Sequence, residues 1–250
     1  MPLIELEFEP PRATLWLNRP EVANAINAGM LAELHQALGR LQQQDDLRVL
    51  LIRGRGGRFC AGADLGQLQA GPQGALSRVD AELATVLDAL ASLPLVVVGV
   101  LERCALGGGF LLALCCDQRI ATPGTRLGFS RHWVPPCGLS RLAAWIGPGR
   151  AQQLLVVRPE LTADDAQRIG LVDYLIAPEK LPALLDHLGA ELAGVRPDVI
   201  REVRDFFTQY NGQLHQHWDK ISSAAFERTF AHPQAQQAVR AFLQSKRPPS

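Results

Sequence analysis

The sequence predicts an α/β fold. Three observations carry this expectation. Runs such as 93-LPLVVVGVLE-102 are apolar without alternation, as in a strand covered on both faces. Segments of helical period lie between such runs. Two glycine-bearing loops, RFCAGAD and ALGGG, each follow a strand of that buried type. At 250 residues and 47% hydrophobic, the chain can bury a sizeable core, as one large domain or a domain with an appendage.

Taken in order, Leu3 to Phe8 and Ala13 to Leu17 alternate apolar and polar residues around Pro10 and Pro11, which predicts a strand pair. Between Asn27 and Gln43, the residues Met30, Leu31, Leu34, Leu38 and Leu41 recur at helical spacing, with Asn27 placed to cap the start. Leu47 to Ile52 reads as a short buried strand that RGRGGRFCAGAD leaves. Val79 to Leu90 reads as an amphipathic helix, and residues 93–102 as a strand. A helix follows the glycines, then a strand around Gln118 to Ala121.

Beyond residue 138 the chain turns mainly helical, over Leu139 to Trp145, Pro148 to Val156 and Thr162 to Ile169, with one strand at Val172 to Ile176. Thr162 and Asp165 have the spacing of a capping box, with Asp in place of the usual Glu or Gln. From Leu181 onward the pattern is helical, with breaks expected at Pro197, Asn211-Gly212 and Pro233. The expected division is a core over residues 1–194 and a helical region over 195–250, ending in the basic tail SKRPPS.

Composition excludes several classes. Lys plus Arg and Asp plus Glu number 25 each, so no net field draws nucleic acid or an anionic membrane. No apolar run reaches the roughly 20 residues of a membrane span, and MPLIELEFEP lacks the pattern of a signal peptide. The five cysteines form no CxxC pair, and their odd number argues against a disulfide framework. A cytoplasmic protein is expected.

Backbone N–H groups at a helix start bind anions, or carbonyl oxygens that become anionic. Two glycine loops can therefore pinch one oxygen, although Gly107 to Gly109 also suit simple close packing of helix on sheet. Phosphate binding is disfavoured because no Lys-Ser or Lys-Thr pair follows the glycines as in a P-loop, and GGGFLL lacks the spread glycines of a dinucleotide site.

Four segments in order, 18-NRPEVANAIN-27, 57-GRFCAGADL-65, 106-LGGGFLLALCCD-117 and 162-TADDAQRIGLVDYLI-176, resemble the enoyl-CoA hydratase/isomerase (crotonase) superfamily and span most of the chain. The resemblance implies a crotonase-type spiral of ββα units with a helical C-terminal trimerisation region, and so a homotrimer or dimer of trimers. It implies an acyl thioester substrate on coenzyme A or a carrier protein, with no cofactor other than the coenzyme A of the substrate. The thioester oxygen would lie between the N–H groups of Ala63 and Gly108, an oxyanion hole. Coenzyme A would lie along Ala23, Ala25, Ala61, Asp64 and Leu65, where Arg53, Arg55 and Arg58 are candidates for its phosphates.

The sequence departs from this family's hydratases at both of their catalytic glutamates. The first position, two residues after the glycine triplet, is Leu111, which neither holds a water nor moves a proton. The second falls in 126-RLGFSRHWVPPCGLSRL-142, where the usual Pro-Glu pair is missing. His132 is the favoured acid or base there, since its ordinary pKa is near neutrality. Arg131 and Trp133, together with Leu111, are expected at the acyl group. Cys137 is an alternative nucleophile, Arg78 and Asp80 are further candidates near the acyl group, and His232 follows the superfamily's decarboxylases. The chemistry expected is first decarboxylation of the acyl thioester, with isomerisation or thioester hydrolysis as further reactions of the superfamily, and the alternative is an acyl-CoA-binding or assembly subunit without turnover.

Overall fold

The computed structural model describes residues 1–66, 72–130, 132, 135 and 137–245. Its main sheet has six strands in the order β1-β2-β3-β4-β6-β9. Strands β1 (Ile4–Glu9) and β2 (Arg12–Leu17) form the expected antiparallel pair. From β2 the sheet continues in parallel through β3 (Val49–Gly54), β4 (Val96–Leu101), β6 (Gln118–Ala121) and β9 (Tyr174–Leu175).

The period of two explains the unbroken apolar runs. In β3, Leu50 and Ile52 join the large core that contains Leu31 and Leu38 of helix α1 (Ala28–Leu41). Val49 and Leu51 face the other way, onto Leu181, Leu185 and Leu188 of α7 (Leu181–Ala193). Asn27 caps α1 by accepting the Met30 N–H at 2.8 Å.

A second, three-stranded sheet consists of β5 (Cys104–Leu106), β7 (Arg126–Gly128) and β8 (Glu160–Thr162). These strands were not expected, because three residues are too few to show an alternation. Helix α2 (Pro72–Ala91) starts seven residues before Val79, and the strand expected over 172–176 is only two residues long. Helix α3 (Gly108–Leu114) follows the glycines. Helices α4 (Leu139–Ile146), α5 (Pro148–Val157) and α6 (Ala163–Arg168) stand where the periodicity places them. Thr162 caps α6 by accepting the Asp165 N–H at 3.2 Å.

The break expected at Asn211-Gly212 is absent: α8 runs without interruption over Pro197–Phe230, and α9 (Pro233–Ser245) follows. A glycine inside a helix costs only about 1 kcal/mol, and the packing of α8 on α2 and α4 outweighs it. Arg204 anchors α8. Its guanidinium, 9% exposed with its residue, bonds the carbonyls of Leu90, Ala91 and Leu93 and pairs with Asp117. Asp117 also accepts the Val97 N–H at 2.7 Å, a structural role as expected.

His215, 6% exposed, shares a 2.8 Å hydrogen bond with Ser140 of α4. Burial, and then the nearby Arg141 guanidinium, pulls its pKa from 6.5 down to about 4. Asp88 pairs with that arginine, and Asp219 stands close to both. Between these pH values the unfolded chain binds the proton and the folded chain does not, so stability falls as pH falls. Acidification from about pH 7 to 4 is expected to cost on the order of 2–3 kcal/mol through this residue. Urea midpoints across that range check it: in His215→Gln this part of the pH dependence disappears.

Candidate active site

The two glycine loops meet where β3 and β4 end. After β3 the chain runs alongside β5, with the Cys60 N–H donating to Cys104 O and the Leu106 N–H to Cys60 O, both at 3.0 Å. Glycines make this contact possible. A Cβ on Gly109 would stand 2.5 Å from Cys60 Cβ, and one on Gly62, whose φ is +92°, would stand 2.7 Å from Leu106 O. Burial pushes the Cys60 thiol up to about 12, so this sulfur is a packing group at neutral pH.

The meeting of the loops leaves two N–H groups unused. Ile26 donates to Gly62 O at 2.7 Å, and Asp64 donates to Ile26 O at 2.8 Å. Those bonds flank Ala63, so its own N–H turns to the opposite side. Gly108 is the first residue of α3, where a helix has no internal acceptor for the N–H. Among the described residues neither N–H donates to a protein group, and both residues line one cavity of about 350 Å³.

The cavity wall is mostly apolar. Val79 and Leu83 of α2, Leu111 of α3 and Phe129 form much of it, and Phe226 and Val239 close it from α8 and α9 of the same chain. Leu111 lies where the sequence places it, at the wall and 1% exposed. It packs so closely on Gly138 that a Cβ there would stand 2.2 Å from Leu111 Cδ2. Gly138 is held in turn by its N–H bond to Asp219 of α8 at 2.7 Å.

Ser130 and His132 stand at the cavity, with the His132 N–H bonded to Ser130 Oγ at 3.1 Å and the histidine exposed. Arg131 and Trp133 lie outside the described residues, as do the side chains of Arg78 and Asp80. Cys137 is buried at 2% exposure and is not part of the cavity lining. His232 is also off the cavity, in the exposed turn before α9.

Of the segment matched to coenzyme A, Ala61 and Leu65 line the cavity. Ala23 and Ala25 are not among its lining residues. Ala23 O accepts the Ala61 N–H at 3.0 Å, and Ala25 O accepts from Arg19 at 2.6 Å. Asp64 is paired with Arg19 at 2.9 Å, both side chains largely buried. Ala23 and Asn24 have φ near +55°, held by the fully buried Asn24 amide, which bonds Arg55 O and Arg58 O. Arg55 is paired with Glu5 and Glu7 and stacked on Trp16, and Arg53 lies near Glu102. Of the three arginines proposed for phosphate, Arg58 is the exposed one.

One residue at the cavity was not foreseen. Glu160, on β8, is the one carboxylate among the described lining residues. The sequence does not place it, because β8 has no alternation and because residues 129–159 fold back to bring it beside β7. Its signal was present in composition: it is the first acidic residue after Asp117.

A family model described as enoyl-CoA hydratase/isomerase matches residues 13–250. The crotonyl-CoA hydratase of Syntrophomonas wolfei is 35% identical over 194 residues, covering 71% of this chain and 70% of its own. The enoyl-CoA isomerase/hydratase fer4 of Mycosarcoma maydis is 29% identical, over 94% and 90% of the two chains. A crystal structure of enoyl-CoA hydratase from Bacillus anthracis superposes with a TM-score of 0.79 at 26% identity, covering 99% of this chain and 98% of that one.

Proposed function

The chain belongs to the enoyl-CoA hydratase/isomerase family, and from that premise we propose that it isomerises an unsaturated acyl thioester, carried on coenzyme A or a carrier protein, through an enolate. The observation that carries this reading is the pair of unpartnered N–H groups, Ala63 and Gly108, on one apolar-walled cavity. The thioester oxygen is held between them. Removal of a proton beside the carbonyl sends charge onto that oxygen, and fixed dipoles in a water-poor cavity stabilise it more than water would.

Hydration by two carboxylates is disfavoured because Leu111 replaces one of them. A double-bond shift needs a single group that takes a proton and returns it. Decarboxylation, the other reaction expected from the sequence, is less favoured, because the Glu160 carboxylate repels a second carboxylate on the acyl group. His132 at the cavity mouth is a second titratable group for the proton transfer. Coenzyme A enters as part of the substrate, with no resident cofactor.

The division into a core over 1–194 and a helical region over 195–250 belongs to the same reading. Along α8, Val203, Phe206, Phe207, Tyr210 and Trp218 are exposed, which supports assembly into a homotrimer through that helix. Light scattering on the full chain checks the trimer. No described helix is long and apolar enough to cross a membrane.

The test is a panel of 3-enoyl-, 2-enoyl- and malonyl-type CoA thioesters, with binding followed by calorimetry and products by mass spectrometry. Conversion of 3-enoyl to 2-enoyl thioesters without hydration is expected. Binding of the panel without any product would instead favour a non-catalytic acyl-CoA-binding subunit.

A further inference from the structure

We propose that Glu160 is the catalytic proton carrier of this site, taking a proton from the carbon beside the thioester carbonyl and returning it two carbons further along the acyl chain. The inference rests on the reading of the cavity as a thioester site.

The small sheet places this residue. Leu106 of β5 is paired with Gly128 of β7, and Gly128 with Glu160 of β8, so the three form one row across the sheet. Two strand spacings, about 10 Å, separate the ends of that row. One end leads directly into Gly107 and Gly108, and the Gly107 N–H is bonded to Gly128 O at 2.8 Å. A glutamate side chain and the first carbons of an acyl group fill a gap of that size. Gly128 allows the close approach: its φ is +140°, and a Cβ would stand 2.0 Å from Pro159 O and 2.8 Å from Glu160 Cα. Beside it, the Phe129 N–H donates to Pro159 O at 2.8 Å.

The carboxylate is held but not consumed. Arg126 bonds Oε2, and among the described residues Oε1 has no protein partner. The Glu160 side chain is 37% exposed, in contact with solvent yet on a cavity whose other walls are mainly hydrocarbon. Among the described residues, Arg126 is paired with it and His132 is the other titratable side chain lining the cavity.

The step balances within the substrate. The C2–H bond breaks and its proton passes to Glu160, while the electron pair moves into a dienolate whose oxygen lies at Ala63 and Gly108. The same proton then bonds to C4 as the double bond settles between C2 and C3. Nothing is oxidised and no water is consumed.

The test uses the full chain with 3-hexenoyl-CoA in D2O, following 2-enoyl formation by absorbance and deuterium incorporation by mass spectrometry, with hexanoyl-CoA binding by calorimetry. Glu160→Gln is expected to lower kcat by about 10²- to 10⁴-fold, the range of acid–base catalysis, with hexanoyl-CoA affinity within about threefold. Glu160→Asp is expected to recover part of that loss. An unchanged thermal midpoint for Glu160→Gln shows that the fold survives, as a part-exposed ion pair is worth little. An active wild type with Glu160→Gln still within tenfold of it overturns the proposal and leaves the thioester reading standing, as does loss of activity in His132→Gln alone. A wild type that binds hexanoyl-CoA yet neither isomerises nor exchanges deuterium overturns the proposal and the isomerase reading with it, and leaves a thioester-binding site; a wild type that does not bind hexanoyl-CoA overturns the thioester reading itself.

Discussion

Gly108→Pro is expected to lower kcat by about 10²- to 10³-fold, equivalent to about 3–4 kcal/mol of transition-state stabilisation. The substitution removes one N–H and leaves the other donor, Ala63, in place. It is placed where a helix tolerates proline, since Gly108 is the first residue of α3 and its N–H has no helical acceptor. The added Cβ meets only the ends of flexible side chains, Ile26 Cδ1 at 3.1 Å and Leu83 Cδ2 at 3.2 Å. Gly108→Ala makes the same contacts and keeps the N–H, so it is the control. The proposal predicts that alanine retains most activity on a 3-enoyl thioester and proline does not, with both variants folded by circular dichroism. Equal losses in the two would assign the effect to crowding of the cavity and remove the N–H from the mechanism.

Arg204→Met is expected to have the largest effect on stability, about 3–5 kcal/mol by chemical denaturation. Methionine fills much of the same volume but leaves Asp117 without its buried cation, and leaves the carbonyls of Leu90, Ala91 and Leu93 without a donor. Burial already pushes the Asp117 carboxyl upward, and Arg204 is the main charge opposing that rise. Loosening α8 should also reach the cavity, because Phe226 at the far end of the same helix forms part of its wall. A loss below 1 kcal/mol would mean that water replaces the guanidinium and that α8 is held mainly by its apolar contacts.

The legible parts of the fold are those where one segment carries its own pattern. The cap of Asn27 on α1, the covered strand at 93–102 and the strand at Gln118 to Ala121 depend on neighbours in sequence, and each stands where its residues place it. The short strands β5, β7 and β8 do not carry such a pattern, and Gly212 inside α8 carries a misleading one. Those features are decided by what packs against them.

The site divides the same way. The residues of the two glycine loops and the leucine in place of a glutamate were readable because the loop residues are contiguous and their types constrain the backbone directly. Arg53 and Arg55, by contrast, look like phosphate ligands in a line of sequence, yet Arg55 is held by Glu5 and Glu7 across the sheet and Arg53 lies near Glu102.

By itself, then, the sequence determined the α/β class, the family resemblance, the two loops that meet at the cavity and the absence of the usual carboxylates. Only the tertiary structure decided that Ala63 and Gly108, whose N–H groups have no protein acceptor among the described residues, line one cavity, that α8 and α9 of the same chain contribute to its wall, and that Glu160 reaches it. The physical reason is distance along the chain. Local hydrogen bonding and periodicity are written in neighbouring residues, whereas a cavity is assembled from segments whose approach is set by core packing and by single glycines such as Gly62, Gly109 and Gly128.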